Sequence, residues 1–458
     1  MVHRIDSDEP QHLHVAWSAA HGFVQYRDVF DNHLPLLHTL FAPVMRVMPE
    51  SSDVFLWMRL AIAPFAVASA WLLYEYARPL YGERIAATAA LAFSVMPPWL
   101  AKSAEFRNDT LWIFFWLAAL VLITRNRPLL AGIALGLSLL ASIKAVPVVL
   151  AHLLAFATER RRVDLKPAIG MAIPIAITAV WMLAHNALDE MIYATLLFNA
   201  AAPVHEARRI GGVVAFMFLA PSIVWVGRQA MHLTLFAIWY VVLLLCFWPI
   251  LTPRDFLPLA PLLALAVAAR WPAWRPSALV AVAIVASIID ARIWRGYDRV
   301  RERFVDEVVR ITRRGDFVFD LKGDAIFRRR AIYPIYEDVG RALTAEGKLP
   351  DRGPEDIVAR GCCAAIRDSD HIPPRSRAFL NRHFIGDGLL RVCGTRVEGD
   401  TFEIAVPQTY AVVSEQPVVL DGTPYTRPRF LSAGRHTLRR SRNERVTVIW
   451  WRASKEMS

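Results

Sequence analysis

A chain of 458 residues that is 55% hydrophobic, with a mean hydropathy of +0.34, is too apolar for an ordinary soluble domain. Its net charge of +11 would suit nucleic-acid binding in a soluble protein. Much of the arginine, however, lies in short loops between apolar runs, where it sets topology, so nucleic acid is not expected as a partner.

The N-terminal stretch is polar and carries no signal peptide. It opens with the acidic run Asp6-Ser7-Asp8-Glu9, followed by Tyr26-Arg27-Asp28 and Asp31-Asn32-His33. Nothing visible ahead of this run would export it, so a further apolar span encoded upstream is expected. Residues 10–50 are amphipathic. Leu13, Trp17 and Ala20 share one helical face, and Leu36, Leu37, Leu40 and Phe41 form a second short stripe. Both helices are expected at the membrane surface, with His12, His14 and His21 facing the interface.

Ten apolar segments follow, near 53–77, 84–103, 110–124, 128–143, 145–158, 167–186, 210–227, 232–250, 256–270 and 277–294. Arg125 and Arg127 precede residues 128–158, and Arg160, Arg161 and Arg162 follow them. If both clusters are cytoplasmic, the chain must cross twice and turn near Lys144. The loops then sort by charge. One side holds Arg78, Arg84, Arg125, Arg127, Arg160 to Arg162, Lys166, Arg228, Arg270 and Arg275. The other holds Arg107, Lys144, Arg208, Arg209 and Arg254. The richer side is read as cytoplasmic, so the poorer side is extracytoplasmic. That side carries both the N-terminal acids and the cluster Glu105-Phe106-Arg107-Asn108-Asp109. Carboxylates at an apolar boundary are costly unless solvated, paired or catalytic. Two clusters facing one compartment predict an active site on a membrane scaffold.

From about residue 295 the chain becomes polar and mixed in pattern. Residues 315–320 read as a buried strand and turn, 334–385 as mixed with some helix, and 388–454 as alternating strands such as 402–406 and 446–450. The expected domains are an acidic loop with interfacial helices (1–52), a transmembrane domain (53–294), a mixed α/β region (295–387) and a β-rich, sandwich-like module (388–458). Cys246 lies in an apolar span and is read as packing. Cys393 can pair with Cys362 or Cys363, or all three can stay buried thiols. No CxxC spacing is present.

Asp8 is the strongest candidate base. Its neighbours Asp6 and Glu9 are expected to raise its pKa by like-charge repulsion, against the plainer reading of a solvated acidic run. The order Asp8-Glu9, then Gly22 with Tyr26-Arg27-Asp28, then Asp31-Asn32-His33-Leu34-Pro35-Leu36, resembles the first extracytoplasmic loop of GT-C membrane glycosyltransferases. The branch it is most similar to holds the protein O-mannosyltransferases and lipid A aminoarabinose transferases. Glu105 to Asp109 resembles that branch's second acidic loop. Gly132 and Gly136 with Lys144 resemble its next helix pair, and Arg254-Asp255-Phe256-Leu257-Pro258 its late segment, with Phe256 where tyrosine is usual.

The resemblance implies an all-α polytopic bundle with an extracytoplasmic C-terminal α/β and sandwich-like region, in a bacterial inner membrane. It implies transfer of a sugar from a polyprenyl-phosphate donor, with inversion, to a lipid, protein or polysaccharide acceptor. Asp8 matches the family's base, Glu9 its partner and Asp109 its second acidic position. Arg107, Lys144 and Arg254 are candidates for the donor phosphate. Each also has a plainer reading: pairing with Glu105 or Asp109, snorkelling, and a loop charge. Asp6, Tyr26, Asp28, His33 and Glu105 complete the expected substrate site, with His33 ordering Asp31 as the plainer role. No metal or other cofactor is expected, a divalent cation being left open. The rival readings are a lipid-linked sugar flippase and a non-catalytic glycan-binding assembly protein. Neither requires the carboxylates to gather at one boundary.

The charge asymmetry makes a direct prediction. Reporter fusions at residues 126 and 320 should report opposite compartments, and finding both in the cytoplasm would sink the sidedness.

Overall fold

The computed structural model describes residues 5–160, 164–201, 231–248, 252–270, 299–386, 388–441 and 445–454, with the single positions 278, 281 and 285. The expected spans at 210–227 and 277–294, and the loop arginines Arg161, Arg162, Arg208, Arg209, Arg228 and Arg275, lie wholly or largely outside them. The chain begins with α1 (Glu9–Ala20) and α2 (Leu36–Arg46). Apolar helices follow: α3 (Val54–Tyr81), α4 (Glu83–Val95), α5 (Pro97–Ser103), α6 (Asn108–Thr124), α7 (Pro128–Ala141), α8 (Ala145–Thr158) and α9 (Lys166–Ala184). Two more are described at Met231–Phe247 and Leu259–Arg270.

Two described helices, α3 with 28 residues and α9 with 19, are long and apolar enough to cross a membrane. On α9 the exposed side chains include Ile169, Ile173, Ile177, Val180 and Leu183, an apolar surface that suits lipid rather than water. The segment expected at 84–103 is broken. Met96 is extended because it precedes Pro97, which disfavours helical backbone in the residue before it. Residues 128–158 form two helices, parted by an extended Ser142. Cys246, expected in packing, is exposed on its helix.

The close pairing of α7 and α9 has a sequence cause. A Cβ at Gly132 would lie 2.1 Å from the carbonyl oxygen of Pro167, and one at Gly136 would lie 2.6 Å from that of Met171. Gly170 approaches the Leu129 carbonyl in the same way. Small residues spaced by four let two apolar helices meet backbone to backbone.

The N-terminal helices are not purely interfacial. Leu13, Trp17 and Ala20 share one face, as expected, but that face enters the apolar core rather than the membrane surface, and His12 and His14 are buried too. The C-terminal region covers the opposite face of α1: His14 Nδ1 hydrogen-bonds the Ile326 carbonyl at 2.9 Å. Gly323, at φ +105°, packs directly on the His14 ring carbons. On α2 the buried stripe is Leu37, Phe41 and Met45, while Leu40 is exposed.

After Val300–Ile311 the C-terminal region builds two sheets. The larger runs β10 (Arg429–Leu431), β7 (Gln408–Val413), β12 (Val446–Trp450), β5 (Leu390–Val397), β3 (Ala364–Ile366), β1 (Phe317–Phe319) and β2 (Arg329–Arg330), with β4 (Phe384–Ile385) pairing β5. Its β1–β2 and β1–β3 pairs are parallel and its remaining pairs antiparallel. The smaller sheet runs β6 (Thr401–Ile404), β11 (Gly434–Arg439), β8 (Val419–Leu420) and β9 (Thr423–Pro424). Because β3 pairs with β5, one sheet spans residue 388, where the sequence suggested a boundary. Cys363 and Cys393 form a disulfide across this sheet, and Cys362 stays a buried thiol.

A methyl group at Gly132 has no space to enter. Gly132→Ala should therefore cost about 1–3 kcal/mol of stability, read as a lower unfolding temperature in detergent. Unchanged stability would show that α7 and α9 separate freely.

Candidate active site

The site forms where the start of α1 meets the loop ahead of α6, the starts of α3 and α8, the turn before Leu259–Arg270 and the loop after β1. Asp8 stands at the N-terminal boundary of α1 without a side-chain capping bond, and its carboxylate is the meeting point of three cations from distant parts of the chain. Arg107 Nη2 lies 2.6 Å away, Lys322 Nζ 2.7 Å and Arg254 Nη1 3.4 Å. Arg107 also pairs with Asp6, and its Nε lies 3.5 Å from Asp109 and 3.7 Å from Glu105. Lys102 bonds Glu105 at 2.7 Å and lies 3.5 Å from Asp6.

Deeper in, Lys144 Nζ bridges Asp109 at 3.5 Å and Asp255 at 3.2 Å. Asp109 also accepts from Trp112 Nε1 at 3.3 Å. Asp255 is fixed by a capping box with Thr252, and Tyr240 donates to its carbonyl at 2.6 Å. The plainer readings of Arg107, Lys144 and Arg254 are therefore incomplete, because each also belongs to one continuous network.

Two expectations change. Burial pushes the Asp8 carboxyl up, but Arg107 and Lys322 outweigh it and hold it well below the usual carboxylate range. The expected upward shift fails because cations, not Asp6 and Glu9, dominate its surroundings. Glu9, meanwhile, is fully buried and spent on the scaffold. Its Oε1 accepts from Arg59 Nε at 2.7 Å and from the Phe106 amide at 2.9 Å; its Oε2 accepts from Arg59 Nη2 and the Asp6 amide. Glu9 thus ties α1, α3 and the second acidic loop together.

The segment after α1 supports the site from behind. Asp31 is fully buried and accepts from Gln11 and Gln25, each at 2.8 Å, and from His33 Nδ1 at 2.9 Å. Burial works against a charged His33 ring, but Asp31 outweighs it and raises the pKa. Next to it, burial drives His38 down to about 4 and His12 well below the ordinary value. His33 is therefore the ring of this group poised to carry charge. Tyr26 is buried and sits at φ 73°, its hydroxyl donating to the His33 carbonyl at 2.8 Å. It shapes the loop that presents His33. Asp28 is not brought to Asp8; it pairs with Arg27 at 2.8 Å and accepts from the Val24 amide.

The sequence reading missed Lys322, Glu337, Lys102, Arg59 and Asp255. Lys322 joins Asp8 to Glu337, whose Oε2 lies 3.0 Å away. The available signal was position: Lys322 stands just past the short strand read at 315–320, ahead of a glycine turn.

The tie between Glu9 and Arg59 gives a stability prediction. Arg59→Met would strand a buried carboxylate, so the fold should lose about 3–5 kcal/mol, read by thermal unfolding in detergent. A near-neutral result would mean that Glu9 finds another cation.

Residues 35–185 match the family described as Dolichyl-phosphate-mannose-protein mannosyltransferase. The matched stretch contains Glu105, Arg107, Asp109 and Lys144. No curated protein matches the chain. Two crystal structures of ArnT from Cupriavidus metallidurans align with it. The form bound to undecaprenyl phosphate has 14% identity and a TM-score of 0.48, over 82% of this chain and 81% of that one. The apo form has 13% identity and a TM-score of 0.47, over 82% and 80%. With acidic clusters, an apolar helical scaffold and this family match in agreement, the chain is similar to the mannosyltransferase-like GT-C membrane glycosyltransferases.

Proposed function

We propose that this protein transfers a sugar from a polyprenyl-phosphate donor to an extracytoplasmic acceptor by a single displacement, with Asp8 as the base. The observation that carries the reading is the convergence of Arg107, Arg254 and Lys322 on Asp8, with Lys144 behind them on Asp109. In a sugar phosphodiester the phosphate bears one negative charge, and on leaving it gains a second. Fixed cations stabilise that growing charge more than the ground state. Asp8 accepts the proton of the acceptor hydroxyl, whose oxygen attacks the anomeric carbon. The bond from that carbon to the phosphate oxygen breaks, its electron pair leaves with the phosphate, and the centre inverts.

Arg107 and Lys322 hold Asp8 too acidic to be a strong base while both point at it. An incoming phosphate competes for Arg107 and Arg254. As they turn to it, the pull on Asp8 falls and its basicity rises, so donor binding arms the base. Asp6, Glu105 and Asp109 keep the cations aimed, Glu9, Tyr26 and Asp31 hold the loops, and His33 adds charge beside the phosphate. The Cys363–Cys393 disulfide supports placing the C-terminal region outside the cytoplasm. So does the grouping of loops, since Glu75 pairs with both Arg78 and Arg125, away from the Asp8 network.

The test uses purified protein in lipid, a polyprenyl-phosphate sugar and membrane extract, with the product identified by mass spectrometry. Asp8→Asn should lower transfer by about 10²-fold or more. Arg254→Met, which removes a part-exposed cation, should raise the donor KM with little loss of stability. Lys144→Met is a poorer probe because it strands two buried carboxylates. Full transfer by Asp8→Asn would remove it as the base.

A further inference from the structure

A partly open cleft lies between the far end of α1, the loop at residues 23–30 and β2 with its following loop. Its polar groups are unevenly committed. Arg330 is spent on Asp320 and on the carbonyls of Leu321, Tyr333 and Pro334. Asp28 is neutralised by Arg27 through two hydrogen bonds. Arg329 differs: its guanidinium lies 5.1 Å from the Phe23 ring centre and 4.6 Å from that of Phe317, with no hydrogen bond to a described side chain. Arg360 lies on the same Phe317 ring at 5.2 Å and spends one nitrogen on the Arg330 carbonyl. Guanidinium groups stacked on rings keep their in-plane N–H groups available for an anion. A third feature points the same way. Ser18 lines this cleft at 2% exposure, and its hydroxyl has no hydrogen-bond partner. A buried hydroxyl without a partner is costly, and a ligand oxygen would satisfy it.

We propose that this cleft binds an anionic saccharide, a sugar ring bearing a carboxylate or phosphate, through Arg329, Arg360 and Ser18. Asp28 lies within electrostatic reach of Arg329 but is already paired with Arg27, and with Arg329, Arg330 and Arg360 against this one carboxylate the wall is net positive. Phe23 and Tyr333, both half-buried, border the cleft and supply apolar ring surface for a sugar. Ser18 stands ten residues after Asp8 along α1, which at the helical rise places it about 15 Å from the base. The cleft is then a remote subsite for an acidic glycan acceptor, a role that rests on the transferase reading above. Binding itself does not.

The experiment measures binding to the full chain in lipid nanodiscs by calorimetry. The probes are methyl glucuronide, glucose 6-phosphate, neutral methyl glucoside and inorganic phosphate. The two anionic sugars should bind at least about tenfold more tightly than the neutral sugar and than phosphate alone. Arg329→Met and Arg360→Met should each weaken them by about tenfold, and Ser18→Ala by less. Both arginines are exposed, so unfolding temperatures should hold and confirm the comparison. Asp8→Asn should leave binding unchanged, which separates this site from catalysis: binding without any transfer would sink the transferase reading alone. Equal binding of anionic and neutral sugars overturns the proposal, as does phosphate binding as tightly as its sugar ester. So does indifference to both arginine substitutions.

Discussion

Arg107 is the interaction on which the site depends. It is buried, and it faces four carboxylates, Asp6, Asp8, Glu105 and Asp109. Burying a guanidinium costs several kcal/mol and is tolerable only with close counter-charges. Burying that many carboxylates without it would be worse. The acids and the arginine therefore require one another, and together they force the start of α1 against the start of α6. Asp109 then passes the constraint to Lys144, and Lys144 to Asp255, so the network continues through the start of α8 and the turn before Leu259–Arg270. Such an arrangement is poor at stabilising a fold compared with apolar packing. Under the proposed reaction its value is a set of charges already in place, which a step that builds charge on phosphate can use without reorganising its surroundings.

Much of this was legible in the sequence because it is a matter of sidedness. Arg107, Lys144 and Arg254 sort to one group of loops by charge counting alone, and the structure gathers them into one network, Arg107 and Arg254 on Asp8 and Lys144 on Asp109. The two-helix reading of residues 128–158 follows from the same arithmetic. Other features were present but misread. Pro97 and Pro98 signal the break at Met96, yet a continuous apolar run concealed it. The amphipathic pattern of α1 was read as one apolar and one wet face. His12 and His14 are buried because the C-terminal region, distant in sequence, closes over the second face. No periodicity within α1 reports a cover that arrives three hundred residues later.

The same limit explains the acidity of Asp8. From neighbours in sequence, Asp6 and Glu9, like-charge repulsion raises its pKa. In the fold, Glu9 is drawn away by Arg59 and the near charges are Arg107 and Lys322. Local sequence gave the wrong sign because the deciding partners stand about 100 and 314 residues away. Tyr26 and Asp28 show a related error. They belong to the motif by order, but one shapes the backbone behind the site and the other faces a different cleft.

Lys322 makes the C-terminal region more than an appendage. It reaches Asp8 from the loop after β1, a strand in a sheet cross-linked by Cys363 and Cys393. The charge balance of the candidate site is thus shared between two regions that differ in composition. Neither is a portable module. A chimera that keeps these helices but borrows another C-terminal region would inherit Asp8 without one of its counter-charges. A substitution in the loop bearing Lys322 therefore changes the charge balance at Asp8, a residue three hundred positions away in the helical region.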